Sequence, residues 1–279
     1  MKHDRTFDCE PTLTDTQVIE FLRKGYLMLE GVVPGEVNRL TMDYLVDHRA
    51  LSPTEIAFKD WFLDNVICNP QATGAVRSLL GREFHLPVLV SNHRREWDTW
   101  HLTRKQEWHI DGNYRHTPRL EYLQVFYYPQ DTADEIGPTE VLPGSHLHHQ
   151  QHRMMGHYEH FRHAVKLAAP AGSIFITIYQ IWHRGGYAET GVRQNLKYVY
   201  WRTTPPMRDW VREEGFDFAT ADYDLGLPLA GEDFRGGVKT AEMFYWLCGM
   251  HDRFVNVGGQ SWPMLASNRI GRPYGYPGP

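Results

Sequence analysis

The chain has 279 residues, 42% of them hydrophobic, and a formal net charge of -5, with basic residues scattered rather than clustered. That pattern argues against a nucleic-acid surface, and no stretch reaches the roughly 18 apolar residues of a membrane span. Cys9, Cys68 and Cys248 lie far apart without a Cys-x-x-Cys pair, and the charged first residues lack an apolar leader core, so a reduced, cytoplasmic setting is expected.

Thr14-Asp15 is placed to cap a helix whose apolar positions Val18, Ile19, Phe21 and Leu22 recur at helical spacing until Gly25. Tyr26–Leu29 reads as a short strand. Pro34-Gly35-Glu36 opens a second helix carrying Val37, Leu40, Tyr44 and Leu45, and another helix is expected over 70–80, ending at Gly81. From residue 84 the segments become short, aromatic or β-branched, and are separated by Gly, Pro, Asn and Asp. Strands are expected at 86–92, 108–111, 120–128, 174–179 and 195–202. Along 120–128, Tyr122, Gln124 and Phe126 share one face and Leu123, Val125 and Tyr127 the other. Residues 204–279 read as loops and short helices. Helices first and strands after predict a mainly β protein with flanking helices and a double-stranded β-helix (jelly-roll, cupin-like) core. The expected organisation is a single domain over 1–279, with a helical part at 14–80, the core at 84–203 and a C-terminal extension at 204–279.

His109 and Asp111 stand in WHIDG, and His183 in IWHRG. Two histidines and one carboxylate are the ligand set of a non-heme Fe(II) site with open positions. Alternate residues on a strand share a face, so His109 and Asp111 are spaced to grip one ion while His183 closes the site from elsewhere. A His-x-Asp pair alone also occurs at ordinary strand ends. The histidines at 146, 148, 149, 152, 157, 160 and 163 include an i, i+4 pair, His148 and His152, but read as a solvated polar face.

The stretches WHIDGNY (108–114), GPTEVLPGSH (137–146), AGSIFITIYQIWHRGG (171–186) and TGVR (190–193), with the opening FLRKGYLMLEGVVPGEVNRL (21–40), resemble the phytanoyl-CoA dioxygenase family of Fe(II)- and 2-oxoglutarate-dependent oxygenases. The resemblance covers residues 13–203. It implies an enzyme that uses Fe(II), 2-oxoglutarate and O2 to oxidise, most simply to hydroxylate, a C–H bond of a small polar molecule, releasing succinate and CO2. His109, Asp111 and His183 would hold the metal. An aspartate at 111, where related halogenases carry a small residue, points away from halogenation. Arg193 would take the distal carboxylate of 2-oxoglutarate, because a guanidinium is a permanent, bidentate partner. Arg184 and Arg202 are the alternatives, and Gln124 and Thr139 are candidates for further hydrogen bonds to the cosubstrate. The loop after Asp111 is expected to reach the substrate through Asn113 and Arg115, with Trp108 and Arg95 beside it. Arg94 and Arg104 add to the hint of an anionic substrate. A metal-dependent cupin-type hydrolase or isomerase, and a non-catalytic 2-oxoglutarate-binding module, are the other readings. A homodimer is left open.

Overall fold

The structure, a computed structural model, describes residues 6–47, 52–96, 106–112, 116–148, 156–217 and 230–254. The first helix, α1 (Asp15–Lys24), begins in a capping box: the Thr14 side chain accepts from the Gln17 backbone N–H, and Gln17 returns the bond. It ends at Gly25, whose φ of 82° is the left-handed conformation that favours glycine. A side chain there would also meet His146, since a Cβ would lie 2.6 Å from its Nδ1. Strand β1 (Tyr26–Leu29) follows, then α2 (Gly35–Asp47), α3 (Asp60–Phe62) with a π turn over Leu63–Ile67, and α4 (Pro70–Leu80). Asn69 caps α4 by accepting from the N–H groups of Gln71 and Ala72, with Pro70 at the first helical position.

The strands are β2 (Ser91–Asn92), β3 (Arg95–Glu96), β4 (Tyr122–Tyr128), β5 (Thr139–Val141), β6 (Val165–Lys166), β7 (Ser173–Ile178), β8 (His183–Gly185), β9 (Val192–Arg193) and β10 (Leu196–Trp201). All pair antiparallel. They form a main sheet in the order β1-β7-β4-β10-β2, a smaller one in the order β6-β5-β8, and the pair β3-β9. The protein is thus mainly β from residue 91 to 201, with helices before and after.

Alternation along β4 and β10 decides where the core sits. Leu123, Val125, Tyr127, Leu196, Tyr198 and Tyr200 pack in one cluster with residues of α1, α2 and α4. The phenol of Tyr127 donates to Asn38 on α2 at 2.6 Å, and that of Tyr200 donates to the Ile67 carbonyl at 2.6 Å. Each fully buried side chain of this size is worth roughly 1.5–3 kcal/mol. The opposite face carries Gln124, Phe126 and Lys197.

Three expectations need correction. Residues 108–111 form no strand; only His109 makes a single antiparallel bridge, to His183, and the chain bends at Asp111 and Gly112. The expected strand at 86–92 shrinks to Ser91–Asn92 because the residues before it have no neighbouring strand beyond a bridge at His85. The extension after 203 is not confined to short helices: α5 (Ala230–Leu247) spans 18 residues and packs on α1. Met243, Phe244 and Leu247 enter the same core, with the rings of Phe244 and Trp210 5.5 Å apart. Asp15, fully buried at the start of α1, accepts from Arg208, from Trp210 Nε1 and from the backbone N–H of Glu213. No helix among the described residues is long and apolar enough to cross a membrane.

Candidate metal centre and its cavity

His109 and His183 meet because their backbones exchange both hydrogen bonds: His183 N–H donates to the His109 carbonyl at 2.9 Å, and His109 N–H returns one at 3.0 Å. Residues directly opposed in an antiparallel pair point to the same face, so both imidazoles project together, with ring centroids 4.3 Å apart. Strand β5 flanks His183 on its other side, with Val141 opposite it. The Pro143-Gly144-Ser145 turn fixes this edge: Ser145 Oγ accepts from the Trp182 N–H at 2.9 Å, and the Leu142 N–H donates to the Trp182 carbonyl at 2.9 Å. Gly185 is small for a local reason, since a Cβ there would sit 2.6 Å from the Arg95 guanidinium.

Both imidazoles are oriented in the same way. Nδ1 of His109 lies 2.9 Å from the Glu107 carbonyl, and Nδ1 of His183 lies 3.1 Å from the Ile181 carbonyl. A proton on each Nδ1 leaves each Nε2 lone pair free for a metal. Asp111 faces them, with 3.5 Å from Oδ2 to His183 Nε2 and 4.0 Å from Oδ1 to His109 Nε2. The three ligand atoms lie within 4.8 Å of one another. Burial and the neighbouring His109 push His183 down to about 4, which keeps it neutral. Burial raises Asp111, but His183, Lys197 and His109 together hold it below the usual carboxylate range. A neutral His183 and an ionised Asp111 are the protonation states a divalent cation needs.

Lys197 is a site residue that sequence reasoning missed. It donates to Asp111 Oδ2 from β10 and stands over the Phe126 ring. Its signal was the alternation of LKYVYW, which puts Lys197 on the face opposite Tyr198 and Tyr200. Gln124 sits in the same row, with its amide nitrogen 3.3 Å from His183 Nε2, while its Oε1 is buried without a partner.

Arg193 is 1% exposed, and among the described residues no carboxylate pairs with it. Its Nη groups donate to the carbonyls of Gly137 and, at 3.3 Å, His93, and its Nε has no partner. Burial lowers its pKa, with Tyr128 nearby opposing that fall. A buried cation without a counter-charge is costly, so the Arg193 guanidinium suits an incoming anion. Thr139 lines the same region: its hydroxyl accepts from Asn195 Nδ2 at 3.1 Å, and its N–H donates to the Tyr128 phenol at 3.0 Å. Asn195 Oδ1 is also left without a partner.

The two alternative arginines are already engaged. Arg184 is ion-paired with Glu140 at 2.6 Å, bonds the Glu159 carbonyl and covers the Trp108 ring. Arg202 donates to the carbonyls of Leu79 and Leu120 and lies over the Trp246 ring at 5.1 Å, though one of its Nη atoms, like Arg193 Nε, has no partner. Trp108 is buried against Arg184 and Phe161 and is not among the cavity-lining residues, so the structure gives it a packing place. Arg95 is buried and donates to Gln106 at 2.9 Å, and Arg94 pairs with Glu96 at 2.7 Å. Asn113, Arg115 and Arg104 lie outside the described residues, as do His149 and His152. His146 caps α1 from the loop, with Nε2 2.8 Å from the Leu22 carbonyl, and burial pushes it down to about 3.

Beside Asp111 opens a cavity of about 820 Å³, bordered by Gly112, Lys197, Tyr122, Tyr179, Val199 and Trp201. The C-terminal helix reaches its wall: Glu242 on α5 lies 3.7 Å from the ring of His116, which lines the cavity.

Solved structures share this fold at low identity. HygX from Streptomyces hygroscopicus with nickel and 2-oxoglutarate bound is 16% identical, over 79% of this chain and 95% of that one, with a TM-score of 0.56. EctD from S. alaskensis, with 2-oxoglutarate and 5-hydroxyectoine, is 19% identical over 72% of this chain and 79% of that one, at 0.55. The non-heme alpha ketoglutarate dependent epimerase SnoN from nogalamycin biosynthesis is 18% identical over 76% and 87%, at 0.53. No protein-family model matches the chain, and no curated protein matches it.

Proposed function

We propose that this protein is an Fe(II)/2-oxoglutarate-dependent dioxygenase that oxidises, most simply by hydroxylation, a C–H bond of a small molecule. The observation that carries this reading is the reciprocal His109–His183 backbone pair, which aims two Nε2 atoms and the Asp111 carboxylate at one point beside an open cavity. Three protein ligands leave positions free for a chelating oxo acid and O2. When bound, Fe(II) with 2-oxoglutarate and O2 supplies an oxidant for an unactivated C–H bond, with succinate and CO2 released.

The chain's own residues do the rest. His109, Asp111 and His183 hold the metal, and Lys197 steadies Asp111. Arg193 receives the distal carboxylate of 2-oxoglutarate, which supplies the counter-charge its burial demands. Gln124, with Thr139 and Asn195 beside Arg193, hydrogen-bonds the cosubstrate. Asn113 and Arg115, with the segment they follow, meet the substrate. HygX and EctD, structures of the same fold solved with 2-oxoglutarate bound, support the cosubstrate, and SnoN shows that an epimerase also uses this fold. We further read the main and smaller sheets as the two halves of a double-stranded β-helix, the chain as one domain of the phytanoyl-CoA dioxygenase type, and its setting as cytoplasmic. Anaerobic titration of Fe(II) and 2-oxoglutarate into metal-free protein tests the proposal. Expected are a visible charge-transfer band at one equivalent and, on adding O2, succinate formation that needs both. Tight zinc binding with no 2-oxoglutarate turnover would favour a hydrolase instead.

A further inference from the structure

We infer that the cavity beside Asp111 receives a flat, uncharged, fused-ring substrate of about drug size, laid against Tyr122, Tyr179 and Trp201. This rests on the dioxygenase reading, because it takes the cavity's metal end as the place of reaction. Size comes first. A volume of about 820 Å³ lies in the upper part of the range, roughly 300–1,000 Å³, that encloses drug-sized ligands. An amino-acid-sized molecule would leave most of it to water.

The second observation is where the rings stand. Tyr179 touches the residue after the metal ligand Asp111, since a Cβ on Gly112 would lie 3.1 Å from its ring. Tyr122 sits 5.9 Å from Tyr179, centroid to centroid, at 45°. Trp201 is directly opposite Tyr122 in the sheet, and His85 stacks on one face of its indole at 4.0 Å. An aromatic wall therefore starts next to the candidate ligand Asp111 and runs outward along β4 and β10. Any C–H bond brought to the metal through this cavity has tyrosine rings beside it, and offset or edge-on ring contacts favour a ring-bearing partner.

The third observation is apolar surface left in solvent at the same place. Leu89 is 69% exposed and Tyr122 48% exposed, and both line the cavity. Exposed apolar side chains on the wall of a concave site offer surface for a ligand to cover. Among the described lining residues, charge favours the neutral class. Lys197 is committed to Asp111, and Arg119 and Glu121, two residues apart on the rim, carry opposite signs. Arg94 and Arg95, expected from the sequence to read an acidic group, are bonded to Glu96 and Gln106 and do not line the cavity.

The test is a calorimetric titration of full-length protein loaded with Ni(II) and 2-oxoglutarate. The ring probes are flavanone and 2-(hydroxymethyl)anthraquinone, and L-proline and octanoate are the contrasts. We expect saturable binding of the ring probes, weakened about tenfold by Tyr122→Ala and by Leu89→Asp. Both positions are exposed, so the variants should fold, and their 2-oxoglutarate binding checks this. Preference for proline or octanoate, no binding of either ring probe, or ring binding indifferent to both substitutions overturns the inference. Wild-type protein that takes the ring probes but not 2-oxoglutarate would leave the cavity assignment standing and sink the dioxygenase reading.

Discussion

On β4 and β10, Leu123, Val125, Tyr127, Tyr198 and Tyr200 turn toward the helices, while Gln124, Phe126 and Lys197 turn toward the metal ligands. The helix side is apolar, and the phenols of Tyr127 and Tyr200 find partners there. The metal side carries Gln124 Oε1 without a partner, and Arg193 and Asn195 nearby each keep one unpartnered polar atom. Buried polar groups are normally satisfied, so the orphans beside the metal ligands suit an incoming partner, although the Tyr198 hydroxyl on the helix side is unpartnered as well. Alternate residues of one strand thus serve different ends: one set stabilises the fold, the other is held by that fold in a state suited to binding.

The contrast breaks or sharpens under four tests. The largest effect is expected for Asp111→Ala and His183→Ala, which should abolish Fe(II) binding and turnover while shifting the unfolding midpoint little. Wild-type iron affinity in Asp111→Ala protein would end the metal assignment. Next, Arg193→Ala should weaken 2-oxoglutarate by roughly two to three decades, as removing one partner of a buried pair costs about 3–5 kcal/mol. Iron should still bind, and unchanged 2-oxoglutarate affinity would contradict the role of this arginine. On the helix side, Leu123→Ala should cost roughly 2–5 kcal/mol in urea unfolding, with iron and 2-oxoglutarate affinities unmoved. A loss of metal affinity there would show that the two faces are not separable.

The last test concerns pH. Burial pushes His146 down to about 3, and His93 falls to about 3 through burial and the nearby Lys197 and Arg193. Both folded values lie below the unfolded 6.5. The unfolded chain therefore binds more protons, and the stabilisation is present above about 6.5 and lost as pH falls toward 3. Each group contributes a slope of at most about 1.4 kcal/mol per pH unit in that window. Urea midpoints at pH 7 and pH 5 should fall accordingly, and His146→Gln should flatten the fall. A midpoint independent of pH would mean that neither histidine is held neutral.

Local chemistry is legible in the sequence itself. The caps of α1 and α4, the alternation of β4, the strands β7 and β10 to within a residue or two, and the residue types at 109, 111, 183 and 193 all depend on near neighbours in the chain. What needed the folded molecule depends on partners far away in the chain. Residues 108–111 look like a strand, yet only His109 finds a partner, and it is that partner, His183, which brings the ligands together. Arginines at 94, 95, 184 and 193 are alike as letters; Glu96, Gln106 and Glu140 occupy three of them and leave Arg193, among the described residues, without a carboxylate. Lys197 against Asp111 and α5 against α1 belong to the same class. A side chain's type and the face it takes follow from its neighbours, whereas its charge partner is decided by which distant segments the packed core brings within reach.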